Sequence, residues 1–550
     1  LRTIAPRFKR DLAMNYFMDK YMEERNMKEL PMSTASPDLC NAVIFHPYRL
    51  MDIPIKMIMS SAELMKATQA YTNGLYSYYF NFMAPYWVAL NSFQAMEKTK
   101  LINHGTDETA RDYLELFQFN LEIAKKGLLS SLRTVNHFHA RELEKAISAM
   151  INTVFDQKGE DISSYTQRLS KVMEMLTYHY PEVIRNIEPE FGFHFDDGGY
   201  LKVAETDRFY LYQVLPWKNK TQVRQKSKPI LIIPPYVLGA SIVGFLPGED
   251  KSYTHCFANQ GIPTYIRIMK DINTTPAVQI TTGEDDCLDT RYFCEIIKAR
   301  HGKPVTLNGF CQGGFVALLS LLSGKLDGLV DAFITCVAPI DGTRSTALVE
   351  YLEHIPERFR DLGYALKAMP SGNQVVDGKV MSWVYKLKSM GREAPIFTFY
   401  RDLKMFDAPN VDEVKISKTS AALNYWLIYE RNDLPRDICQ LSFDSFTKPI
   451  TSDGTLPVKL FGQELNFKRL KEMNMKWLLC YAEEDDLVDK EAALAPLDYV
   501  DVEVTVFPKG HGAIATSWSL PTSECALHKC FRDGYRGPVR YQLDLDKGTA

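Results

Sequence analysis

Two hydrophobic periods divide the chain. Up to about residue 195, apolar positions recur at spacings of three and four. Leu114, Phe117, Leu121, Ala124 and Leu128 form one such stripe and predict an amphipathic helix. Thr106, Asp107 and Glu108 suit its start, the hydroxyl as a cap and the acids against the helix dipole. Further helices are predicted at about 9–30, 140–155 and 163–178. From about residue 200 the period shortens. A strand pair is predicted at 200–204 and 209–215, and continuous apolar strands at 229–233, 264–268 and 332–337, with a helix near 288–299. Strands alternating with helices predict a parallel sheet covered on both faces. After Asp341 the alternation lapses and resumes with strands at 476–481 and 502–507. The expected organisation is therefore a helical domain over 1–195 and a catalytic domain over 196–550, with a cap inserted at 342–470.

One stretch departs from both periods. Residues 67–96 carry no charge and hold Tyr71, Tyr76, Tyr78, Tyr79, Phe80, Phe82, Tyr86 and Trp87. A membrane-spanning helix wants ~20 mostly aliphatic residues, and this run is interrupted by Asn, Gln, Ser, Thr and Pro85. Packing against the catalytic domain or a subunit partner is the expectation. A surface touching membrane or a hydrophobic product is the alternative.

The chemistry centres on Gly309-Phe310-Cys311-Gln312-Gly313-Gly314, which joins an apolar strand to an apolar helix. A nucleophile elbow has this form: a turn so tight that only glycine fits around it, with cysteine here where serine usually stands. A thiol at a helix N-terminus is also favoured as thiolate. The two resumed strands end in Glu483-Glu484-Asp485-Asp486 and in Gly510-His511-Gly512. Nucleophile, acid, histidine is the chain order of an α/β-hydrolase triad. The fold expected is thus α/β-hydrolase with a cap insertion, preceded by a mostly helical domain. Cys311 is the candidate nucleophile, His511 the base and Asp485 the acid. Asp486 is the fallback for the acid, and Glu484 and Asp489 are read as solvated. An oxyanion hole needs two backbone N–H donors. Gln312 supplies one, and Tyr236 or Val237 the other, since Pro234 and Pro235 before them have no N–H.

Composition narrows the partners. The chain has 550 residues, is 46% hydrophobic and carries a formal net charge of −4, which gives nucleic-acid binding no electrostatic support. Its 10 cysteines are scattered without zinc spacing, as expected of a reducing, cytoplasmic compartment. His137 and His139 lack acidic or thiol company and are read as structural, so no metal is expected.

From about residue 200 onward the sequence resembles the polyhydroxyalkanoate synthases. The resemblance is carried by the Cys311 box, by Ile233-Pro234-Pro235-Tyr236 with Phe245-Leu246-Pro247, and by Asp341 after the next strand. Leu456-Pro457-Val458-Lys459-Leu460-Phe461-Gly462, Glu484-Asp485 and Gly510-His511 continue it. Asp486 stands where the family usually has histidine. The resemblance implies an acyltransferase in which Cys311 is acylated by a hydroxyacyl-CoA thioester and the acyl group is polymerised with release of CoA. It implies no cofactor beyond that CoA thioester. A polymer granule surface and a second copy of the chain are candidate partners. Two other functions stay open: a cysteine-dependent ester or thioester hydrolase or polyester depolymerase, and a non-catalytic scaffold on a hydrolase fold.

Overall fold

Eight strands make the central sheet, in the order β1-β2-β4-β3-β5-β6-β7-β8. They are β1 (Tyr200–Glu205), β2 (Phe209–Val214), β3 (Ile230–Ile233), β4 (Thr264–Met269), β5 (Val305–Phe310), β6 (Val330–Cys336), β7 (Lys476–Ala482) and β8 (Glu503–Phe507). Only β2 runs against its neighbours β1 and β4; from β4 to β8 every pairing is parallel. This order, with one antiparallel strand near one edge and the crossover at β3–β4, is that of the α/β-hydrolase fold, and the chain has it. A parallel sheet needs both faces covered, so its strands read as unbroken apolar runs. All four residues of β3 and all six of β5 are buried.

The computed structural model of the chain describes residues 47–103, 106–217, 221–346, 362–381, 395–406 and 415–548. The helix expected at 9–30 lies outside them. Two long helices, α1 (Pro47–Asn103) and α2 (Thr106–Phe155), precede the sheet and are followed by α3 (Ile162–Glu174). The chain divides into two compact units. One consists of residues up to Ala70 together with His139–Lys171, and the other of Tyr71–Phe138 together with Val172 onward. In the first, Lys56 pairs with Asp161 at 3.1 Å, and the Tyr165 hydroxyl donates to the Glu142 carbonyl at 3.1 Å.

The second unit holds the sheet. Helices α4 (Gly283–His301) and α5 (Gln312–Leu322) cover it, and the insertion after β6 supplies α6 (Pro395–Phe406), α7 (Lys418–Tyr429) and α8 (Arg436–Thr447). The insertion is no separate body. Ile438, Leu456, Val458 and Leu465 share one buried cluster with Leu231, Leu307 and Phe315 of the sheet and α5. The uncharged run packs on it with one face. A Cβ on Gly74 would lie 2.6 Å from the Phe399 ring, so glycine lets α1 approach α6 closely. Beside it, the Tyr71 and Tyr400 hydroxyls meet, and Tyr78 donates to Asp402 at 2.8 Å. The other face is open: Tyr76, Tyr79 and Phe80 are exposed. The expected packing therefore holds at Tyr71, Gly74 and Tyr78, while the side chains of Phe82, Tyr86 and Trp87 lie outside what the structure describes. Among the described residues no helix is long and apolar enough to cross a membrane. The helix expected over the stripe forms, and Leu114, Phe117 and Leu121 on it are exposed.

Candidate active site

Strand β5 ends at Phe310 and α5 begins at Gln312, leaving Cys311 alone at the turn with φ 51° and ψ −126°. A side chain held at positive φ costs conformational energy that the surroundings must supply. Here the strand and the helix fix it from both sides: Cys311 N–H donates to the Cys336 carbonyl and Gly314 N–H to the Cys311 carbonyl, each at 2.8 Å. The glycines are steric requirements. A Cβ on Gly309 would sit 2.3 Å from Gly314 Cα, and one on Gly314 would sit 2.7 Å from Ala338 Cβ. Gly313 meets a different wall, the end of β3: its Cβ would be 2.3 Å from the Ile233 carbonyl oxygen and 2.6 Å from that of Pro234. Gly313→Ala should therefore push α5 off β3 and cost at least about 1–3 kcal/mol, as overpacking does. Denaturant melts would show this against Gly512→Ala, where an added Cβ meets nothing within 4 Å and little change is expected.

The acid and the base arrive on the next strands. Asp485 follows β7 and His511 follows β8, and β7 and β8 pair in parallel from Leu478↔Glu503 to Ala482↔Phe507. That register brings the two loops out at one edge of the sheet. His511 Nδ1 lies 2.8 Å from Asp485 Oδ2. The other carboxylate oxygen accepts the backbone N–H groups of Leu487 and Val488, both at 2.9 Å. Asp485 is thus aimed by its own loop, whereas Asp486, Glu483 and Glu484 are exposed. The register read from sequence puts the acid one residue before Asp486, and Asp485 is the carboxylate the structure brings to the histidine.

Burial works against charge on His511, but Asp485 and the Cys311 thiol beside it outweigh this and raise the ring well above its usual value. His511 Nε2 is buried without a hydrogen-bond partner. The Cys311 thiol lies beside the ring and favours its charged form. Phe310 packs edge-on against the imidazole, with ring centroids 6.1 Å apart. Cys311 and His511 are 7% and 9% exposed, so bulk water reaches neither freely.

The loop after β3 is pinned residue by residue. The Tyr236 hydroxyl donates to Asp286. Val237 N–H donates to Gln312 Oε1 at 3.0 Å, and Trp426 Nε1 of α7 donates to the Leu238 carbonyl at 2.9 Å. Asp286 is itself 1% exposed and 2.7 Å from the equally buried Arg267, whose guanidinium lies 4.3 Å from the centroid of Phe209. Burial disfavours charge on Arg267, and Asp286 more than compensates, so the guanidinium stays charged. Burial also drives the Tyr236 hydroxyl far above its ordinary range, with Asp286 adding to it, so the phenol remains a donor.

Three parts of this arrangement were not read from sequence. Arg267 sits in Thr264-Tyr265-Ile266-Arg267-Ile268, and a charge inside an apolar strand was the signal. Trp426 comes from the insertion, as does Ser442, whose hydroxyl accepts from Gln312 Nε2, and no motif marks either. Asp341, matched through the family resemblance, accepts from Arg344 at 3.0 Å and from Thr343 and is 2% exposed, which makes it an anchor for the turn after β6. Among the described residues no group of His, Cys, Asp and Glu could hold a metal ion.

No protein-family model matches the chain, and no curated protein matches its sequence. Solved structures similar to it include α/β-hydrolase domain-containing protein 10 from mouse, 12% identical over 64% of this chain and 100% of that one, with a TM-score of 0.33. A carboxylesterase from Nitrososphaera gargenis is 13% identical over 57% of this chain and 92% of its own, with a TM-score of 0.27. The fold assignment rests on strand order and register, and the chemistry on the residues above.

Proposed function

We propose that this chain is a cysteine-dependent acyltransferase that takes hydroxyacyl groups from CoA thioesters and polymerises them to polyhydroxyalkanoate. The observation that carries the reading is Cys311 at a strained, glycine-walled elbow beside a histidine held by a buried aspartate. In the first step the Cys311 sulfur attacks the thioester carbonyl while His511 takes the thiol proton, with Asp485 stabilising the imidazolium. The tetrahedral oxyanion draws on the Gln312 and Val237 N–H groups. Its collapse breaks the bond to CoA sulfur, and His511 returns the proton to that leaving thiolate. In the second step the hydroxyl of another hydroxyacyl thioester attacks the acyl-cysteine, His511 takes the hydroxyl proton, and Cys311 leaves as thiolate. No metal or further cofactor enters this scheme.

Burial of Cys311 and His511 supports transfer over hydrolysis, because an acyl-cysteine sheltered from water survives until an alcohol arrives. The likeness of the Cys311 box and the Pro234-Pro235-Tyr236 loop to the polyhydroxyalkanoate synthases supports the hydroxyacyl substrate. The granule surface and a second copy of the chain are proposed as partners on the same likeness, and a cytoplasmic setting with it. Incubation with 3-hydroxybutyryl-CoA should release free thiol and deposit an insoluble polyester. Thiol release with only free 3-hydroxybutyrate would turn the reading to a hydrolase, and no thiol release at all would rule out acyl-CoA as the substrate.

A further inference from the structure

Of Tyr236 and Val237, the two residues expected to offer the second oxyanion N–H, Val237 is already occupied. Val237 N–H donates at 3.0 Å to Oε1 of Gln312, the residue directly after the nucleophile. The same carboxamide donates through Nε2 to Ser442 Oγ on α8. Gln312 is 4% exposed. Its orientation is fixed by chemistry, since only the amide oxygen can accept from Val237 N–H. A carboxamide carbonyl resembles a thioester carbonyl in being a neutral acceptor, and the Gln312 oxygen takes from Val237 the hydrogen bond a substrate oxygen would need.

We infer that the Gln312 side chain is a latch on the oxyanion hole, tethered to the cap through Ser442, which a substrate carbonyl must displace before Cys311 can be acylated. This rests on the acyl-transfer reading above and adds a device to the same site. A neutral substrate carbonyl gains little by replacing a neutral amide oxygen, whereas an oxyanion makes a charge-assisted hydrogen bond about twice as strong. Displacing the latch costs one neutral hydrogen bond whether a carbonyl or an oxyanion takes its place, so the latch raises KM and leaves kcat unchanged. Because Ser442 holds the other end, release of the latch is coupled to the position of α8. The insertion thereby touches the chemistry without contributing a catalytic group.

The test separates a latch from a support. If Gln312 merely orders Val237, every substitution of it lowers activity. For a latch, Gln312→Ala raises kcat/KM roughly three- to tenfold by lowering KM, the worth of one neutral hydrogen bond. Gln312→Glu places a carboxylate on the Val237 N–H and lowers kcat/KM at least ~tenfold, because a charged acceptor is harder to displace. Ser442→Ala unties the far end and gives a smaller rise, and it serves if Gln312→Ala folds poorly. Thiol release from 3-hydroxybutyryl-CoA is one readout. Reversible addition of an alkyl trifluoromethyl ketone to Cys311, followed by fluorine NMR, is the other and needs no turnover. Tighter ketone binding by Gln312→Ala supports the latch even if the wild type releases no thiol, an outcome that removes the acyl-CoA reading alone. Weaker ketone binding, or lower kcat/KM in both Gln312→Ala and Ser442→Ala, overturns the latch. Absence of any ketone adduct on the wild type overturns both.

Discussion

Cys311→Ala is expected to abolish turnover while the protein stays folded. Removing the nucleophile of a triad costs roughly 10⁴- to 10⁶-fold in kcat, leaving only what binding and the oxyanion donors supply. The fold has little reason to respond. The elbow backbone is set by the Cys311–Cys336 and Gly314–Cys311 hydrogen bonds and by the glycine contacts, none of which involves the thiol. Losing one buried sulfur should cost about 1 kcal/mol, at the low end of core truncations. Circular dichroism and a denaturant melt would check the fold, and thiol release the activity. Cys311→Ser should retain a trace at most, since a hydroxyl is far less acidic than the thiol that His511 faces. Alkylation by iodoacetamide offers a second view, read by peptide mapping because Cys530 is exposed and will also react. Turnover in a folded alanine variant would sink the nucleophile assignment.

The sheet was legible because a parallel strand buried on both faces is written as an unbroken apolar run. Ile230–Ile233 and Val305–Phe310 could hardly be anything else once the glycine box followed. The site was legible for a related reason: each triad member ends a strand, so a short polar motif after an apolar run marks it. The Gly309, Gly313 and Gly314 requirements were visible as a pattern, though the wall that excludes a side chain at Gly313 proved to be the β3 carbonyls. What escaped is what the third dimension adds. The ties of Trp426 to Leu238 and of Ser442 to Gln312 join residues far apart in sequence and carry no local period. The exposed Leu114, Phe117 and Leu121 show the limit of periodicity itself. A stripe predicts a helix and an apolar face, but not what covers that face.

Asp485→Asn should cost roughly 10³- to 10⁴-fold in kcat, because an amide on His511 Nδ1 no longer selects the tautomer or balances the imidazolium. Asp486→Asn should stay within about twofold, as expected of an exposed carboxylate outside the site. The pH dependence gives the two variants a sharper contrast. Burial alone would lower the His511 pKa, and Asp485 first and Cys311 second raise it. Without Asp485 the ring loses its main support and titrates at lower pH. A histidine whose folded pKa is raised contributes stability that is fully present below the unfolded value of about 6.5 and lost as pH rises through the folded value. The wild type should therefore keep this contribution at neutral pH and lose it on the alkaline side, whereas Asp485→Asn should lack it at neutral pH already. Rates follow the same sign, since the Cys311–His511 pair must hold the one proton that passes to the departing CoA thiolate, and that proton is lost above the pKa of the ring. The alkaline limb of the residual Asp485→Asn rate should move to lower pH, and that of Asp486→Asn should not move. Rate profiles and denaturant melts across the pH range would measure both. A large loss in Asp486→Asn, or an alkaline limb that stays in place in Asp485→Asn, would take the acid's role away from Asp485.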